Sequence, residues 1–254
     1  MRNKRSVRFI VMFAMIVMLA VFPLSASASH AWGNYHWART ANPFTLKVGD
    51  NVSTQWDGNL NTAISDWSKS TVLDMTKVTG AANPKNCRPT SGRVEVCNAK
   101  YGNTGWLGVA QIWASGSHIT QGTVKLNDTY FNTSTYNTTA WRNLVTCQEV
   151  GHTIGLDHQD ENFDNPNLGT CMDYTNDPST NQHPNQHDYD ELQTIYSHLD
   201  STTTIGAMPK GFANADVHAV ENWGAKVSDN GKAALYQRDF GNGYQIFTFV
   251  IWAQ

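Results

Sequence analysis

Apolar positions recur along this chain at two spacings, and the changes between them mark its elements. Residues 34–48 mix aromatics with Thr, Leu and Val and read as a first strand. Across residues 50–74 the spacing turns helical, with Trp56, Leu60, Ala63, Ile64 and Trp67 on one face. Residues 72–78 begin a second strand. A loop rich in Asn, Pro and Gly spans 80–91. Strands are expected again at 93–101, 105–114 and 119–127. Thr138 or Thr139 then caps a helix whose inner stripe runs through Trp141, Leu144 and Val145. Continued by helical steps, that stripe reaches Gln148 and His152. A further helix spans 188–196, with Leu192, Ile195 and Tyr196 inward. Residues 201–211 read as a linker. Residues 226–253 read as small β structure, with turns at 229–231 and 241–243 and an aromatic strand from Tyr244 to Trp252. Helices and strands in this order predict an α+β fold.

The first residues change the picture of where the chain works. Arg2, Lys4, Arg5 and Arg8 precede a nearly continuous apolar run over 9–24, and Ala26-Ser27-Ala28 follows it. That is the layout of a signal peptide, here 1–28, and predicts a secreted, extracellular protein. The run is shorter than the ~20 residues a membrane span needs, so no anchor is expected after cleavage. Four of the 18 basic residues lie in this segment and none of the 21 acidic ones, which leaves the remainder at −7. Such a balance argues against nucleic acid as a partner. Between Arg142 and Lys210 there is no Lys or Arg, while Asp and Glu recur. Negative potential over that region favours cations and basic substrates. Four cysteines (Cys87, Cys97, Cys147, Cys171) in an oxidising compartment imply two disulfides.

The chemistry is concentrated in Gln148-Glu149-Val150-Gly151-His152-Thr153-Ile154-Gly155-Leu156-Asp157-His158. On a helix, Gln148 and His152 project from one face, and Glu149 lies beside them. Gly155 can take a left-handed backbone and end the helix, bringing His158 back toward His152. Two imidazoles, a third ligand and a nearby carboxylate are the parts of a catalytic zinc site.

These residues resemble the HExxHxxGxxH motif of the metzincin metallopeptidases. Glu149, His152, Gly155 and His158 match it; Gln148 departs from it, where the family has its first histidine. Cys171-Met172-Asp173-Tyr174 resembles the family's methionine turn, with Tyr174 where astacins and serralysins carry a tyrosine that can approach the metal. The likeness implies a twisted mixed sheet, a metal-binding helix, a methionine turn and a C-terminal helix over 29–200, followed by a β-rich extension over 201–254. It implies one catalytic Zn2+ on His152, His158 and Gln148, with Glu149 as general base and Tyr174 assisting. It also implies an edge strand, placed at 105–114, that pairs with an extended peptide or protein substrate.

Several expectations stay open. The third ligand is Gln148 or a loop histidine, His183 or His187. Of the three disulfide pairings, Cys87–Cys97 and Cys147–Cys171 are favoured, the second tying the metal helix to the methionine turn. Asp160, Asn162 and Asp164 are spaced like the start of a Ca2+ loop, although Asn165 stands where its glycine belongs. The chain is expected to be a monomer. The alternative to a peptidase is a non-enzymatic binding module that keeps the fold, and Gln148 is the residue that favours it.

Overall fold

The computed structural model describes residues 29–204 and 215–254. The signal segment and most of the linker lie outside them. Nine strands form one mixed sheet: β1 (His36–Trp37), β2 (Phe44–Asn51), β3 (Leu73–Thr79), β4 (Arg93–Ala99), β5 (Trp106–Ser115), β6 (His118–Asn127), β7 (Ala225–Asp229), β8 (Ala233–Asp239) and β9 (Tyr244–Trp252). Their order is β3-β2-β4-β6-β5-β9-β8-β7, and β1 pairs with the start of β6. β3, β2, β4 and β6 run parallel; from β6 onward each neighbour is antiparallel. The expected first strand is broken into β1 and β2 by the Asn42–Pro43 corner.

The helices are α1 (Asp57–Trp67), a single turn α2 (Asp128–Phe131), α3 (Thr139–His152) and α4 (Gln186–Ile195). Thr138 caps α3 by accepting from the Trp141 N–H. Asn185 and Asp188 form a reciprocal capping box at α4. The architecture is α+β, as the pattern predicted, with the mixed sheet that the resemblance implied. Among the described residues no helix is long and apolar enough to cross a membrane.

One face of the sheet packs on α1 and α3 in the main core, where Trp56, Trp67, Val94, Ile112, Leu144, Val150 and Phe249 are buried. A smaller core on the opposite face gathers Trp106, Trp113, Trp223, Tyr236, Ile246 and Val250. β9 serves both. Phe247, Phe249 and Ile251 face the main core, and Ile246 and Val250 face the smaller one. A strand covered on both faces reads as a near-continuous apolar run, and in Phe247–Trp252 the polar residue is Thr248, itself buried.

The placement of β9 departs from expectation. The C-terminal residues are not an appendage; they extend the same sheet. β9 pairs with β5 from Trp106 to Ser115, so the strand expected to offer a free edge has neighbours on both sides. The sheet's outer strands are β3 and β7.

The disulfides are Cys87–Cys97 and Cys147–Cys171, the pairing favoured from the sequence. The second joins α3 to the segment carrying Met172.

Candidate metal centre

α3 enters the main core along its whole inner face, and the site forms where it ends. Gln148, Glu149 and His152 are each about 1% exposed. Room for them comes from glycine. A Cβ on Gly108 of β5 would stand 2.8 Å from Glu149 Oε1 and 2.5 Å from Val145. A Cβ on Gly151 would stand 2.6 Å from Met172 Sδ, so the methionine sits directly against the helix backbone. Beyond His152 the chain turns at Gly155, whose φ of +102° suits glycine and whose Cβ would strike the Tyr35 carbonyl at 2.6 Å. That turn brings His158 back, and the His152 and His158 rings lie 4.6 Å apart, nearly perpendicular.

Each imidazole has its Nδ1 turned to protein oxygen. His152 Nδ1 is 2.8 Å from the Leu156 carbonyl, which fixes Nδ1 as the donor and leaves Nε2 with its lone pair. His158 Nδ1 is 3.3 Å from Asp157 Oδ1 and 3.7 Å from Glu161 Oε1. Burial, then the His158 ring, pushes His152 down to about 3, so it is neutral at ordinary pH. Burial opposes charging His158 too, but Asp157 and Glu161 outweigh it and hold the ring above its usual value. Burial likewise opposes ionising Asp157, yet the two rings keep it near 2. Burial lifts the Glu149 carboxyl well above the carboxylate range, against one N–H bond from Ala110. Tyr174 lies 3.9 Å from the His158 ring, and burial raises its phenol well above the usual value.

Several polar atoms here lack partners. Both amide atoms of Gln148 and Glu149 Oε2 are buried without a hydrogen bond. Such orphans are costly unless something else meets them. Beside two neutral-capable imidazoles, that donor set fits a zinc ion.

The loop histidines are engaged elsewhere. His183 Nδ1 is 2.6 Å from Asp66 Oδ2 on α1, and His187 stacks on His30 at 4.8 Å. The oxygens expected for calcium are taken up locally. Asp160 accepts from the Asn162 N–H and the Asn165 amide, and Asn162 accepts from the Asp164 N–H.

Sequence reasoning missed two features, one of them legible. Asp157 and Glu161 flank His158, and the pattern of acids around that histidine was there to be read. Phe249 was not legible. It lies on β9, yet its ring stacks on His152 at 4.1 Å and 10°. Trp32 lies 5.6 Å from its ring, and Phe247 lies 4.9 Å from Trp32 in the same aromatic cluster. A cavity of about 110 Å³ remains beside His158, between Glu161, Tyr174, Phe249 and the β7–β8 turn.

No protein-family model matches the chain, and no curated protein matches it. Among solved structures it is similar to high choriolytic enzyme 1, a hatching enzyme zinc-protease from Oryzias latipes (Medaka fish). The TM-score is 0.35 and the identity 10%, over 64% of this chain and 94% of that one. A likeness of that size carries no argument about function.

Proposed function

We propose that this chain is a secreted, zinc-dependent metallopeptidase of metzincin type. The observation that carries the reading is the donor set at the end of α3: His152 oriented through Nδ1 by the Leu156 carbonyl, His158 beside it, and the Gln148 amide and Glu149 Oε2 buried and unpartnered next to them. His152, His158 and Gln148 would hold the ion. When bound, zinc would acidify water and polarise the peptide carbonyl. As a carboxylate, Glu149 would take up a proton at Oε2 from the attacking water and hand it to the leaving amine. Tyr174 stays protonated and donates from its hydroxyl to the developing oxyanion. Phe249 and Trp32 keep bulk water from the His152 side. The acidic surroundings favour peptides carrying Lys or Arg.

One observation favours the second reading, a non-enzymatic binding module. β9 pairs along β5 and its Phe249 covers His152, so the strand expected to receive an extended substrate is not free. The two readings part in one experiment. Zinc-loaded protein and its Glu149→Ala variant are compared on basic and neutral peptides. Turnover that falls by about 10²-fold or more in the variant, with unchanged circular dichroism, supports the peptidase. Zinc binding without turnover in either protein makes it a binding module. Equal turnover in both would sink the mechanism.

A further inference from the structure

A second cluster of metal-ligating side chains lies apart from α3, where three distant segments meet. β1 and β6 pair in parallel with His36 opposite His118. The turn after α4 brings in His198 and Asp200. Asp200 is anchored on both sides: its N–H donates to the Arg39 carbonyl, and its Oδ2 accepts from the Arg39 N–H at 3.1 Å and Nη1 at 3.0 Å. This leaves Oδ1 aimed at the histidines.

Among His36, His198 and Asp200 the distances are those of a coordination shell. His36 Nε2 lies 3.1 Å from His198 Nε2 and 3.4 Å from Asp200 Oδ1. His118 Nε2 and His198 Nε2 lie 3.3 Å and 3.8 Å from the same oxygen. Ligand atoms 2.0–2.1 Å from zinc at the corners of a tetrahedron stand about 3.3 Å apart. His36 is oriented as a ligand should be. It is 4% exposed, and its Nδ1 is 2.7 Å from the Asn34 carbonyl, so Nε2 carries the lone pair. A carboxylate oxygen with three imidazole nitrogens gathered round it, two of them facing each other, is a donor set in want of a cation.

We infer that His36, His198 and Asp200 form a second zinc site, structural in character, with His118 beside it at 3.3 Å from Asp200 Oδ1. The ion would bind the amino-terminal segment to the turn after α4. That segment matters to the first site. Trp32 Nε1 donates to the His152 carbonyl and Trp37 Nε1 to the Thr153 carbonyl, while the Tyr196 hydroxyl donates to the Ile154 carbonyl. The second ion would therefore brace the turn that presents His158 without taking part in catalysis.

The test uses the full signal-cleaved protein, stripped with a chelator and titrated with Zn2+. Wild type is compared with the double variant His118→Gln/His198→Gln, whose side chains are 37% and 51% exposed and whose loss spares the core. Native mass spectrometry is expected to find one more zinc per chain in wild type. The affinity for that ion should fall in the variant by more than the ~10–100-fold that loss of an outer partner costs. The zinc-induced rise in Tm should shrink with it. Co2+ in place of Zn2+ reports the same site by its d–d absorption, which should weaken in the single variant His198→Gln. Equal zinc content and an equal Tm response in wild type and double variant would overturn the assignment. The cluster would then be an ion-paired histidine group only.

Discussion

On the proposed reading, Gln148 decides how tightly the first site would hold a metal. An amide oxygen is a weaker zinc ligand than imidazole, and this one is buried without another partner. Gln148→His is expected to raise zinc affinity by on the order of tenfold or more, read by competition with a chromogenic chelator. A second residue carries a pH dependence unrelated to metal. Lys125 is 4% exposed; burial, opposed by Asp216, lowers its ammonium to about 8 from 10.5. The unfolded chain thus binds more protons than the folded one between pH 8 and 10.5, so stability rises with pH across that window. Relative to Lys125→Met, wild type should gain on the order of 3 kcal/mol there, measured by urea unfolding at several pH values. A flat difference would mean the amine finds water in the folded state. The residues of the first site were legible because a helix and one glycine turn bring them together from a span of eleven positions. His36, His118, His198 and Asp200 were not, because no local spacing links them and only the β1–β6 register makes two of them neighbours.

α3 is pinned between its capped start and the methionine turn beneath its end. Gly151 is where the two meet: an added methyl would crowd Met172 Sδ and the Trp67 ring at 2.8 Å. Gly151→Ala is expected to cost about 1–3 kcal/mol by overpacking, read by thermal unfolding, although alanine favours helix. Helical periodicity made α3 and its inner face plain. The same arithmetic fails for β9. An apolar run says that a strand is buried, yet it does not name the strand it pairs with. Hence the aromatic strand was expected on its own hairpin, and its lateral partner β5 was expected to be free.

The fold as a whole is held by links between remote segments, and the Cys147–Cys171 bridge is one of them. It closes a 24-residue separation around the site. Replacing both cysteines by serine should lower stability by about 3 kcal/mol on the chain-entropy account. The same change should loosen zinc binding, since Met172 would no longer be tethered to α3; unfolding curves and metal titration read the two effects separately. The α+β order and the disulfide pairing were legible because both follow from local pattern and cysteine spacing. The sheet's order was not, since it depends on which distant strands meet. The pairing of β5 with β9 also sets a timetable. A polypeptide is made from its amino end, so β5, α3 and the His158 turn all exist before β9 does. In that interval β5 presents an open row of amides and carbonyls, and His152 has no aromatic cover. A cation reaching the nascent site at that stage meets little obstruction, whereas one arriving after β9 has docked finds the Phe249 ring already stacked on His152. Loading and final strand closure are therefore in competition, and a chain refolded with zinc present from the outset should fill faster than one supplied with zinc after it has folded.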